Sequence, residues 1–205
     1  MDPANGYETH ALEYIGLRER SPVGSVVVRD WAASLDPGAE ILEIGCGAGI
    51  PVSSVLVDAG LGLWAIDASA SLLRIFRSRF PEVPARCEPA ETSDFFDRTY
   101  DAAISIGLLF LLDESAQRGL IRRVSERLRA GGRFLFSAPL EAGSWRDAVT
   151  DRESLSLGRE GYEEALSACG LRLLGTRQDE GGNNHYDAQT ADSERPESAS
   201  RRKGG

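Results

Sequence analysis

The chain has 205 residues, 41% hydrophobic and 27% charged, which fits one domain with a full core, or one domain plus a tail. Its formal net charge of −9 repels phosphate backbones and disfavours nucleic acid as a partner. Three widely spaced cysteines, Cys46, Cys87 and Cys169, argue against a disulfide framework or a zinc site and read as reduced thiols of a cytoplasmic protein.

Met1 to Gly6 has neither the basic nor the apolar region of a signal peptide. No apolar run approaches the roughly 20 residues a membrane helix needs. Ala11, Leu12, Tyr14 and Ile15 predict one amphipathic segment, and Val23 to Ala33 a second. Residues 1–35 thus read as a helical lid, or as ordinary packing against the rest of the chain.

From Glu40 to about Asp187 strands and helices alternate, which predicts an α/β fold with helices on both faces of a parallel sheet. The first strand is Glu40 to Ile44. A glycine-rich turn leads to a helix opening at Pro51, with Val52, Val55, Leu56 and Ala59 inward and Gly60 at its end. The second strand, Gly62 to Ile66, ends at Asp67. A helix from about Ser69 to Arg79 turns Leu72, Leu73 and Phe76 inward and stops at Pro81.

A third strand is expected near Ala85 to Glu88, and a fourth over Asp101 to Ile106. A long helix then runs to about Arg129, with Leu120, Ile121, Val124 and Leu128 on one stripe and Gly131-Gly132 closing it. Arg133 to Ser137 is a fifth strand. A helix comes next, near Arg159 to Cys169, then a sixth strand from Leu171 to Arg177. The turn Gly181-Gly182-Asn183-Asn184 sends His185 back as an antiparallel seventh strand. Residues 36–187 form the expected ligand-binding domain. From Ala188 the apolar periodicity ends, so residues 188–205 read as a disordered tail.

The chemistry starts at Gly45, Gly47 and Gly49, where glycine permits a sharp turn and close approach of main chain to a ligand. A dinucleotide fingerprint would need a small residue at Ile50. Glu43, just before the turn, would repel a pyrophosphate and suits a cationic ligand such as S-adenosylmethionine, with its ammonium and sulfonium. Both residues count against a nicotinamide oxidoreductase. Asp67 can accept both hydroxyls of a ribose, or cap the next helix as Ser69 would.

Ile41 to Gly49 resembles motif I of class I S-adenosylmethionine-dependent methyltransferases. Ala65 to Ser69 resembles their second-strand motif. Leu128 to Phe134 is similar to their L-x-P-G-G motif, with Ala130 in place of proline. The likeness runs from about Val26 to Leu174. A closer likeness, to bacterial methyltransferase-domain proteins of unassigned substrate, rests on residues 107–112, 138–139, 145–147, 156–158 and 179–186.

The resemblance implies a Rossmann-like fold with a seven-stranded, mostly parallel sheet and an antiparallel last strand. It implies that Gly45, Cys46 and Gly47 approach the methionine and ribose through backbone. Glu43 would orient the loop and the amino group, Asp67 hold the ribose and Ala68 pack beside adenine. Pro89 stands where an acid is usual, leaving backbone of Ala90 or Glu91 for the adenine edge. Ser105, Ile106 and Gly107 would lie near the sulfonium. Apart from the resemblance, Tyr14, with Arg18 or Arg20, either meets the cofactor carboxylate as that first helix closes or forms an ordinary solvated helical face.

Methyl transfer needs alignment and water exclusion; a base is optional. Phe110, Trp145, His185 and Tyr186 are the candidate acceptor contacts, and no catalytic residue is assigned. Cys46 reads as packing, since this chemistry needs no covalent cysteine. The expected activity is methyl transfer to a small molecule. A binding or sensory module and a protein methyltransferase are the alternatives. No metal is expected, and the oligomeric state is open.

Overall fold

A computed structural model describes residues 2–191. Helices α1 (Ala11–Arg18) and α2 (Ser25–Ala32) precede the sheet. The alternating region then gives β1 (Glu40–Ile44), α3 (Val52–Asp58), β2 (Gly62–Asp67), α4 (Ala70–Arg79), β3 (Ala85–Cys87) and β4 (Tyr100–Ser105). It continues through α5 (Glu114–Ser125), β5 (Leu128–Ser137), a hairpin of β6 (Ala142–Arg146) and β7 (Glu153–Leu157), α6 (Gly158–Ser167), β8 (Leu171–Gln178) and β9 (Asn184–Thr190).

The main sheet has seven strands in the order β3-β2-β1-β4-β5-β9-β8. Every neighbouring pair among the first five strands is parallel, while β9 is antiparallel to both β5 and β8. This is the expected α/β, Rossmann-like arrangement. Strand β1 lies centrally, and Ile41, Leu42 and Ile44 are fully buried, as a strand covered on both faces requires.

The core is two-sided. On one face Leu120, Ile121 and Val124 of α5 and Tyr162 and Leu166 of α6 pack on Phe134, Phe136 and Tyr186. Phe136 and Tyr186 stack with ring centroids 4.9 Å apart. On the other face Trp31 of α2, Leu56 of α3 and Phe76 of α4 cover Ile41, Ala65 and Ile104. Leu12 was expected on the inner stripe of α1, but it is 82% exposed while Ala11 and Ile15 are buried.

Two expectations are corrected. The helix expected to reach Arg129 ends at Ser125, and Leu128 opens β5 opposite Tyr100. Arg129 explains the early change: its guanidinium bridges Asp101 and Glu40 at the start of β4 and β1, which holds its backbone in the sheet. The glycine pair therefore lies within β5, where a Cβ on Gly132 would come within 2.8 Å of the Arg129 carbonyl. The tail was expected from Ala188, but Ala188 is buried in the core and β9 continues to Thr190. Residues 192–205 of that expectation lie outside the described residues. Among the described residues no helix is long and apolar enough to cross a membrane.

Candidate active site

The turn after β1 is tied to β2 because the backbone N–H groups of Gly45 and Cys46 both donate to the Ile66 carbonyl, at 2.9 and 3.1 Å. Gly45, Gly47 and Gly49 have φ of +77°, +56° and +84°, values that glycine adopts without steric cost. Their surroundings differ. A Cβ on Gly47 would meet Tyr14 at 3.4 Å, whereas one on Gly49 would lie 2.3 Å from Phe80. The third glycine is thus required by packing against α4, and the first two face a cleft.

Asp67, at the end of β2, accepts from Gly47 N through Oδ2 and from Ser69 N through Oδ1, both at 2.7 Å. The cap of α4 falls to Ser69, whose hydroxyl accepts from Leu72 N at 3.2 Å. Capping therefore leaves the Asp67 carboxylate free to serve the turn and the cleft. Burial pushes its pKa up to about 6, although the two N–H bonds oppose the rise. Glu43 is buried deeper and accepts from the Ser53 hydroxyl at 2.7 Å. Burial raises it to about 8, against that hydrogen bond. The Cys46 thiol is pushed well above its ordinary value, by burial first and then by Asp67 and Glu43. It stays a protonated packing group.

These residues open onto one cleft at the C-terminal ends of the parallel strands. In one half lie Gly45, Gly47, Asp67, Ala68, Ala90, Glu91, Ile106 and Gly107. In the other lie Glu43, Cys46, Phe110, Trp145 and His185. Tyr14 lines both, as do Gly45, Ile106 and Gly107, so the halves are continuous. Phe110 and Trp145 form an aromatic pair with centroids 5.6 Å apart.

Two candidates stand elsewhere. Ser105 is fully buried, and its hydroxyl donates to the Ile44 carbonyl, joining β4 to β1. Tyr186 points to the opposite face of β9 from His185, into the aromatic core, and its hydroxyl donates to the Pro139 carbonyl at 3.2 Å. Alternation along a strand accounts for this, since neighbours face opposite sides.

Several cleft residues carry no sequence signal of their own. Glu88, next to Pro89, lines the first half and is engaged by the Ser93 hydroxyl. Pro3, Ala4, Asn5 and Tyr7 close over that half from the N-terminal segment. Tyr7 meets Tyr14 edge-on and donates to Asp147 at 3.3 Å, Asn5 donates to the Leu111 carbonyl, and Glu8 accepts from both Ser69 and Ser71. Asp147 is set by its own turn, accepting from Val149 N, Thr150 N and the Thr150 hydroxyl. Asp179, from the β8–β9 turn, lines the second half beside His185.

Residues 41–132 match the family described as a methyltransferase domain. A demethylmenaquinone methyltransferase of Renibacterium salmoninarum is 29% identical over 119 residues, 56% of this chain and 48% of the relative. The match therefore spans about half the length of that curated relative. Among solved structures, an amino pentose methyltransferase of calicheamicin biosynthesis from Micromonospora echinaspora, with S-adenosylmethionine bound, superposes with a TM-score of 0.66 at 18% identity, over 82% of this chain and 90% of that one. A glycopeptide N-methyltransferase gives 0.67 at 19%, over 82% and 94%.

Proposed function

We propose, from the premise that this chain is a class I, Rossmann-like methyltransferase, that it binds S-adenosylmethionine in the cleft and transfers the methyl group to a small-molecule acceptor. The observation that carries this reading is the linked turn and carboxylate: Gly47 N bonded to Asp67, with both residues facing one groove. The groove suits the cofactor chemically. It offers glycine backbone, a carboxylate at the end of β2, and the apolar Ala68, Ala90 and Ile106 for a planar base.

When bound, the cofactor supplies an electrophilic methyl on a sulfonium, already a good leaving group. What the chain must supply is alignment and exclusion of water, which together account for several kcal/mol of such a barrier. Asp67 holds the ribose hydroxyls, and the backbone of Gly45 and Gly47 admits the methionine portion. Glu43 stays behind the turn, fixed by Ser53. Pro3 to Tyr14 act as a lid, latched by Glu8 on α4 and by Tyr7 on Asp147. The acceptor enters the second half, beside Phe110 and Trp145. That space suits a small molecule, and the charge of −9 disfavours a nucleic acid.

Calorimetry of the full chain with S-adenosylmethionine, S-adenosylhomocysteine and NAD tests the reading. Binding of the first two and no binding of NAD is expected; a preference for NAD would overturn it. Asp67→Ala removes a charged hydrogen-bond acceptor, so S-adenosylhomocysteine affinity should fall tenfold or more, about 1.5–3 kcal/mol. Unchanged affinity would remove Asp67 from the site.

A further inference from the structure

His185 is the histidine in the cleft, and its side chain is fully buried against a carboxylate. Nε2 lies 3.0 Å from Asp179 Oδ2. Asp179 is itself anchored by the turn that carries it, accepting from Gly181 N and Asn183 N at 2.9 Å and from Asn183 Nδ2. Burial raises its pKa, but the bonds from His185, Asn183 and Gly181 outweigh this and hold it below the usual range. An ionised carboxylate only accepts, so Nε2 donates to it, and the neutral imidazole then has its lone pair on Nδ1. Nδ1 is buried and has no partner. A buried acceptor left unpaired is costly, and His185 lines both the cleft and the cavity it shares with Trp31.

Among the described residues, no other side chain lining that half has an unpartnered buried polar atom. Asp147 is occupied by Tyr7, Val149 and Thr150, and Glu43 by Ser53. The Cys46 thiol is held protonated.

We propose that His185 is the general base of this site, held by Asp179 as a positioning residue, and that its acceptor is the hydroxyl of an aromatic ring. The proposal rests on the methyltransferase reading above. The ring specificity comes from the Phe110–Trp145 pair in the same half of the cleft. The hydroxyl is chosen by acidity. An imidazole base does little for an aliphatic alcohol and is not needed by a thiol that ionises near pH 8.5. A phenol, at about 10, lies within its reach. In the step, an oxygen lone pair forms the O–CH3 bond while the C–S bond breaks. That bond's electron pair stays on sulfur, leaving a neutral thioether, and the hydroxyl proton passes to Nδ1 and then to solvent.

The charged groups around the ring are few. On the sheet side are Arg177 of β8, paired with Asp30 of α2, and Asp187 of β9, paired with Arg133 of β5. On the cleft side are Arg18, Arg146, Asp147 and Glu43, besides Asp179. Trp31 Nε1 also lacks a partner and lines a second cavity that His185 touches, so a purely structural water between the two is the competing role.

The test compares phenol with 4-nitrophenol, which is ionised near neutral pH without help, as acceptors for the full chain. His185→Asn should lower kcat for phenol about a hundredfold or more, and for 4-nitrophenol less than tenfold, with the KM for S-adenosylmethionine within about twofold. Asp179→Asn should show the same pattern more weakly. In the wild type, log kcat for phenol should fall on the acid side of the profile, and His185→Asn should abolish that limb. Equal losses with both phenols, or reproduction of the loss by Trp31→Phe, would assign His185 a structural role and overturn the proposal. So would methylation of anilines or thiols with no phenol turnover. If wild-type chain fails to bind S-adenosylhomocysteine, the methyltransferase reading itself fails. If it binds and no phenol is methylated, only this inference fails.

Discussion

Glu43→Gln is the most informative single change, because it alters charge while keeping shape and the Ser53 hydrogen bond. The wild-type carboxyl goes from an ordinary 4.5 to about 8 on folding, with burial as the main cause. At about 1.4 kcal/mol for each tenfold in acidity, this corresponds to about 5 kcal/mol at full extent. The folded chain holds the proton more tightly than the unfolded chain. Stability is therefore greatest below about pH 4.5 as far as this group is concerned, falls as pH rises toward about 8, and then levels off. Asp67 acts in the same sense up to about pH 6, but it does so in both proteins and cancels in the comparison.

Glutamine removes the ionisation. Urea unfolding of wild type and Glu43→Gln at pH 5.5, 7.0 and 8.5 reads the difference. At pH 5.5, one unit above the unfolded value, the variant should already lead by about 1.4 kcal/mol. By pH 8.5 its lead should have grown by about 3 kcal/mol, the part of the titration lying in that window. Parallel profiles across the range would show that Glu43 is not a buried, protonated carboxyl in the folded chain.

The same proton makes binding pH-linked. S-adenosylmethionine brings a cation toward Glu43 and favours the carboxylate, so binding at pH 7 should release protons, and S-adenosylhomocysteine should release fewer. Calorimetry in phosphate and in Tris measures this, and equal release refutes it. Gly49→Ala should cost about 2 kcal/mol or more, because its Cβ meets Phe80 at 2.3 Å at a φ of +84°; a melting point lowered by about 5 °C is the check. Tyr162→Phe strips a donor from Gln117 Oε1, bonded at 2.7 Å inside the core. The loss should be about 1–3 kcal/mol by urea midpoint, with cofactor affinity unchanged.

The first half of the fold was legible because local signals and the global arrangement agree there. Strand, glycine turn, capped helix and second strand succeed one another within Glu40 to Arg79, each with its own periodicity or cap. Past Gly107 this agreement weakens. Leu128 continues the apolar stripe of α5 in sequence, and only the distant partners of Arg129, at Glu40 and Asp101, draw the chain into β5 instead. The hairpin of β6 and β7 leaves no periodicity in the sequence, because β6 is exposed throughout and shows no alternation. Beside His185 in the chain, Tyr186 reads as a cleft residue, but the strand's two-residue period sends it to the other face.

The same asymmetry divides the cleft by function. In the proposed assignment the nucleotide half takes its recognisable part, Gly45, Gly47, Asp67 and Ala68, from one short stretch, so their spacing is visible in the chain. The acceptor half draws on the N-terminal segment through Tyr7, the hairpin through Trp145 and Asp147, and the β8–β9 turn through Asp179 and His185. These lie up to 178 residues apart (Tyr7 to His185), and nothing local relates them. Asp179 is the clearest case: in sequence it is a turn residue before two glycines, and its use as an orienting carboxylate depends on β9 pairing back against β8 with Asn184 opposite Gln178. That register brings the carboxylate to the imidazole. A one-residue slip would face His185 toward the aromatic core and break the dyad. The chemistry of the acceptor half is therefore specified by strand register, whereas that of the donor half is specified by motif.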